Sequence, residues 1–106
     1  VAAYWKQHYD LRYILETNWT KLGPKLAGKL HVYIGEDDTY YLDDAVHLLQ
    51  EFLAKTVDPP FGGEVVFQPG APHCWGPRGP ELMSKMAAHV AKTAPAGADV
   101  TSWMYR

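Results

Sequence analysis

Two short runs constrain this chain more than anything else in it. Leu30-His31-Val32-Tyr33-Ile34 and Glu64-Val65-Val66-Phe67-Gln68 are rich in β-branched and aromatic residues, the composition of strands. Gly28 and Gly35 bound the first run, and Gly62-Gly63 precedes the second. Between them, from about Leu42 to Lys55, apolar residues recur at helical spacing, with Val46, Leu49, Phe52 and Leu53 on one face. Asp43 and Asp44 fall in the first turn of that helix, where negative charge complements the helix dipole. A strand, a helix and a second strand in this order predict parallel strands joined by a right-handed crossover. The first strand reads as buried.

The flanks extend the alternation. Leu11, Ile14, Leu15 and Trp19 predict a helix from about Tyr4 to Trp19, with Asp10 as candidate N-cap. Glu81 to about Ala94 reads as a last helix with Leu82, Met86 and Val90 inward. Gly23-Pro24 reads as a break and Gly28 as a second turn. Pro69 to Pro80 reads as a loop dense in Pro and Gly, and Pro95 to Arg106 as an irregular tail. The expected order is α–β–α–β–α. The fold class is α/β, a partial three-layer sandwich with parallel strands. Two strands alone bury little and leave two open edges. Such a sheet belongs to a larger one or is extended by self-association, and a homodimer is expected.

Composition narrows the function classes. The chain has 106 residues, 47% of them hydrophobic and 21% charged, which fits one small globular domain. The net charge is −2 with both signs mixed along the chain. It has no basic stripe, so no nucleic-acid partner is expected. The apolar runs are too short to span a bilayer, so no membrane partner is expected either. A single cysteine, Cys74, excludes an internal disulfide and a Cys-rich zinc site. The chain begins at Val1 rather than Met, which reads as a processed or truncated start.

In α/β proteins the functional groups gather beyond the C-terminal ends of parallel strands. The first such loop here holds Asp37 and Asp38, the second His73 and Cys74. A carboxylate bonded to one imidazole nitrogen fixes the tautomer and frees the other nitrogen to act as a base.

The residues of these loops carry a resemblance. Gly35-Glu36-Asp37-Asp38-Thr39-Tyr40-Tyr41-Leu42 resembles the acid loop of esterases in the α/β-hydrolase superfamily. S-formylglutathione hydrolases and enterochelin-esterase-like enzymes show a similar Gly-x-x-Asp followed by an aromatic and Leu. Gln68-Pro69-Gly70-Ala71-Pro72-His73-Cys74-Trp75 resembles their histidine loop, a strand followed by a Pro-Gly turn and then the histidine. The order, acid before histidine with a helix between, also matches. The resemblance covers roughly residues 4 to 94.

What it implies is a triad with Asp38 as acid and His73 as base. Asp37 is the rival acid, and Asp38 is preferred because the family places its acid three residues after the glycine. Tyr40, Tyr41 and Trp75 would lie near the site and contact a small-molecule ester substrate. No cofactor and no metal are implied. The family's Gly-x-Ser-x-Gly elbow is absent, and the only serines are Ser84, in a predicted helix, and Ser102, in the tail. In the family the elbow and oxyanion hole lie upstream of the acid. Residues 1–106 are therefore expected to form one domain, the C-terminal part of a serine hydrolase, completed by a missing N-terminal hydrolase segment or by a second chain that supplies the serine. Alone, an Asp–His pair gives general-base catalysis of order ~10²–10⁴-fold. The alternative is a non-catalytic α/β interaction or oligomerisation module with vestigial Asp and His loops.

Adjacent residues point apart, so Cys74 and His73 make a poor thiol dyad. Asp43, Asp44 and His47 have metal-like helical spacing but read as a solvated helix face. Glu36, Asp37 and Asp38 lack the spacing of a calcium loop. His8, His31 and His89 have no recognisable partners in the sequence.

Overall fold

The structure, a computed structural model, describes residues 1–102. Six elements follow in order: α1 (Ala2–Tyr9), α2 (Leu11–Leu26), β1 (His31–Asp37), α3 (Leu42–Leu53), β2 (Glu64–Pro72) and α4 (Gly79–Thr93). The chain divides into two compact units, residues 1–76 with the first five elements and residues 77–106 with α4. The fold is mixed α/β, and β1 and β2 pair in parallel as a two-stranded sheet. No helix among the described residues is long and apolar enough to cross a membrane.

The first predicted helix is two helices. Asp10 leaves helical geometry at φ −77° and ψ 98°, and its side chain accepts the N–H of Tyr13 at 3.0 Å. It therefore ends α1 and caps α2, the second of these being the role its position suggests. Gly23-Pro24 does not break the chain, because both residues lie inside α2. The irregularity comes earlier, at Asn18 (φ −126°), whose side-chain amide donates to the Ile14 carbonyl. Pro24 has no N–H to offer the Thr20 carbonyl one turn back, and Thr20 is an exposed residue. Gly23 is buried for a packing reason. A Cβ there would meet the Trp19 ring at 2.8 Å and Pro59 at 3.0 Å.

The core of residues 1–76 is thin. Leu53, at the end of α3, is its one large side chain that is essentially fully buried, at 2% exposure, a burial that stabilises by roughly 1.5–3 kcal/mol. Val46, Leu49 and Phe52 share its face but are only half-buried. α3 packs on β1 and on α2. Trp19 meets Phe52 edge-to-face at 5.6 Å, and its indole N–H donates to the Pro59 carbonyl at 3.0 Å. His47 stacks on Phe67 of β2 at 3.9 Å. The Thr56 hydroxyl donates to the Leu53 carbonyl and accepts the Phe61 N–H, which closes the end of α3.

The strands are half-buried rather than buried, since Val32, Tyr33, Ile34 and Val65 to Phe67 all keep some exposure. A two-stranded sheet with a helix on it cannot cover both faces. The strands also run further than the sequence suggests, to Asp37 and Pro72 instead of Ile34 and Gln68. In α4, Leu82 is half-buried but Met86 and Val90 are 50% and 38% exposed, against the expectation that all three point inward. A 30-residue unit holding one described helix has too little chain to cover an apolar face of its own.

Candidate functional site

The register of the sheet decides where the two loops meet. His31 pairs with Glu64, and the pairing runs in step through Gly35 with Gln68. It then jumps, so that Asp37 pairs with Pro72. β2 uses two more residues than β1 over this stretch, and Gly70 at φ +71° takes up the bulge. The bulge needs a glycine on the facing strand as well. A Cβ on Gly35 would lie 2.2 Å from the Ala71 carbonyl oxygen.

Because Asp37 and Pro72 are level, the next residues, Asp38 and His73, leave the two strands side by side. The Nδ1 of His73 is 2.9 Å from Oδ2 of Asp38. An ionised carboxylate only accepts, so Nδ1 carries the proton and donates it. The lone pair of the neutral ring then sits on Nε2. The Asp38 side chain is 2% exposed and that of His73 36%. The acid is sealed in while the base reaches solvent.

Asp38 is held on its other side too. Oδ1 accepts the backbone N–H of Tyr40 at 2.7 Å, an Asx turn, and the Tyr41 N–H donates to the Asp38 carbonyl at 3.0 Å. Tyr41 takes a left-handed conformation (φ 57°) and starts α3. The N–H of His73 holds the Asp38 carboxyl below its ordinary value of 3.8. Burial opposes this, and the N–H groups of Tyr40 and Leu42 and the charge of His73 add to the lowering.

His73 stands in a tight turn, with the Trp75 N–H donating to the Pro72 carbonyl at 3.2 Å. Cys74 has φ 62°, the sign that a type II turn requires at its third residue. Its thiol is exposed and unpaired in any disulfide.

Of the five site residues read from the sequence, Asp38 and His73 are in contact, and the Tyr40 ring meets the His73 ring at 4.7 Å and 70°. Tyr41 reaches the site through its backbone, and its side chain is 75% exposed. Trp75 is half-buried and takes part in the turn that carries His73. The rival acid Asp37 is exposed and paired across the sheet with Pro72. Neither serine hydroxyl is free: Ser84 donates to the Pro80 carbonyl and Ser102 bonds to Asp99, whose carboxyl this lowers to about 2. Among the described residues, no group of three His, Cys, Asp or Glu is placed to hold a metal ion.

Sequence reasoning missed the parts that bring the pair together, namely the bulge at Pro69-Gly70, the close approach at Gly35 and the Tyr40 N–H on Asp38. The Pro-Gly dipeptide and the glycine are visible in the sequence, where Pro69-Gly70 reads as a turn and Gly35 as the boundary of the first strand. Comparison with protein-family models, with curated proteins and with solved structures found no match.

Proposed function

We propose that this chain supplies the acid and the base of a serine hydrolase acting on carboxylic esters. The observation that supports this reading is the Asp38–His73 pair, a buried carboxylate on Nδ1 of an imidazole whose Nε2 is left to act. A pair of this geometry orients the base and stabilises the imidazolium that forms when it takes a proton.

The nucleophile comes from outside these residues, from an N-terminal hydrolase segment or from another chain. Its hydroxyl adds to the ester carbonyl as Nε2 of His73 takes the proton. The acyl–oxygen bond then breaks, and His73 returns the proton to the departing alkoxide. Water repeats both steps on the acyl-enzyme and releases the acid. Asp38 stays ionised throughout. Tyr40, whose ring meets that of His73, contacts the substrate together with Tyr41 and Trp75. The open edges of the two-stranded sheet are covered in the same way, by the strands of that segment in a hydrolase-like three-layer sandwich or by a homodimer.

The test is a fluorophosphonate probe applied to the complete gene product. The expected result is one labelled serine outside these 106 residues, with labelling lost in His73→Ala and slowed in Asp38→Asn. Absence of any labelled serine, or labelling indifferent to both substitutions, overturns the reading and favours a non-catalytic interaction module.

A further inference from the structure

The Asp38–His73 hydrogen bond leaves one motion unrestrained. It pins Nδ1, but the imidazole can still rock about that bond and swing Nε2 away from a fixed direction. A base that must meet a hydroxyl within hydrogen-bond reach tolerates little of this. The carboxylate has a freedom of its own, because either oxygen can serve the ring unless one is already engaged.

Tyr40 addresses both. Its backbone N–H, at 2.7 Å, engages Oδ1 of Asp38 and leaves Oδ2 to His73. Its ring stands edge-to-face against the imidazole at 4.7 Å and 70°, within the geometry that aromatic pairs prefer. Tyr40 is 69% exposed, so its ring is not part of the core. Its contact with His73 needs another explanation than packing.

We propose that Tyr40 is the positioning residue of the pair, its N–H selecting the carboxylate oxygen and its ring fixing the plane of the imidazole. This deepens the hydrolase reading and rests on it for its purpose, though not for its test. The phenol hydroxyl has no part in it. A residue that only contacts substrate leaves His73 unchanged in the substrate-free protein, whereas a positioning residue does not.

The experiment is nitrogen-15 NMR of the His73 ring in the substrate-free chain, with solvent exchange of the Nδ1 proton. Wild type and Tyr40→Phe are expected to show the same Nδ1-protonated tautomer and slow exchange. Tyr40→Leu and Tyr40→Ala are expected to exchange roughly 2–10-fold faster, the range of an aromatic pair's worth, with the two tautomers mixing. Both keep the backbone N–H on Asp38, so the difference isolates the ring. Thermal unfolding of the same variants reads any merely structural effect and is expected to move little at so exposed a side chain. A Leu variant that matches wild type, or a Phe variant that loses the signal, overturns the proposal. Neither outcome depends on esterase activity, so failure of the hydrolase reading shows separately, in the fluorophosphonate experiment.

Discussion

Gly35 lies so close to Ala71 that no side chain fits between them. An added Cβ would come within 2.2 Å of the Ala71 carbonyl oxygen and 2.6 Å of the Pro72 oxygen. Both are backbone atoms that cannot turn aside. The contact falls where the register jumps, just before the strands deliver Asp38 and His73 to the same place. Gly35→Ala must therefore separate the strands. Overpacking of this kind costs about 1–3 kcal/mol, and the Asp38–His73 bond should be lost with it. A lowered urea midpoint together with disappearance of the slow Nδ1 proton is the expected result. Loss of stability with the proton intact would mean that the strands part elsewhere.

The acid limb of stability belongs in part to Asp38. Its carboxyl is lowered in the folded protein, first by the His73 hydrogen bond. A group whose folded value is depressed stabilises above its unfolded value and loses that contribution as pH falls through the folded one. The stability difference between wild type and Asp38→Asn should then shrink as pH drops below 3.8. Thermal melts of the two proteins across the acid range measure this. Parallel curves would show that the carboxylate adds nothing by being charged.

Much of this was legible in the residues, for identifiable reasons. The run Val65-Val66-Phe67 and the helical period of Val46, Leu49 and Leu53 are local signals, and local signals set the element types. The loops of Asp38 and His73 could be singled out because each follows a strand and carries reactive chemistry, and the preference for Asp38 over Asp37 rests on the resemblance to the esterase acid loop. What was not legible is non-local. Pro24 lies within a helix, one turn after the exposed Thr20, and no pattern within the helix announces that. Gly35 is a glycine for the sake of a residue far along the chain, Ala71, and Gly23 for the Trp19 ring and the distant Pro59 that crowd it. Met86 and Val90 fit an inward face in the sequence, yet are exposed, and the described residues of their own unit hold only one helix, α4.

Cys74 holds a left-handed conformation, φ 62°, that a residue with a side chain adopts at a cost of about 1–2 kcal/mol. Its thiol is exposed and makes no disulfide. Cys74→Gly removes that strain, offset by the greater entropy glycine has in the unfolded chain. The expected net effect is a stabilisation of about 0.5–1 kcal/mol with the Asp38–His73 bond unchanged. Urea denaturation checks the first part and the His73 ring resonances the second. A destabilised variant would show that the thiol packs in a way its exposure conceals.

The bulge in β2 makes a prediction that runs against intuition. Gly35 is level with Gln68 and Asp37 with Pro72, so β2 carries two residues beyond what a regular ladder needs. Removing Pro69 and Gly70 together leaves Pro72 two steps after Gln68, as Asp37 is two steps after Gly35. His73 therefore still falls beside Asp38. Removing Gly70 alone leaves an odd number of residues. That turns each later side chain of β2 to the other face, because side chains alternate along a strand. The double deletion should keep the slow Nδ1 proton of His73, and the single deletion should abolish it although less of the chain is gone. If the double deletion loses the proton while the protein stays folded, the bulge does more than shift register. It then shapes the turn that holds the imidazole.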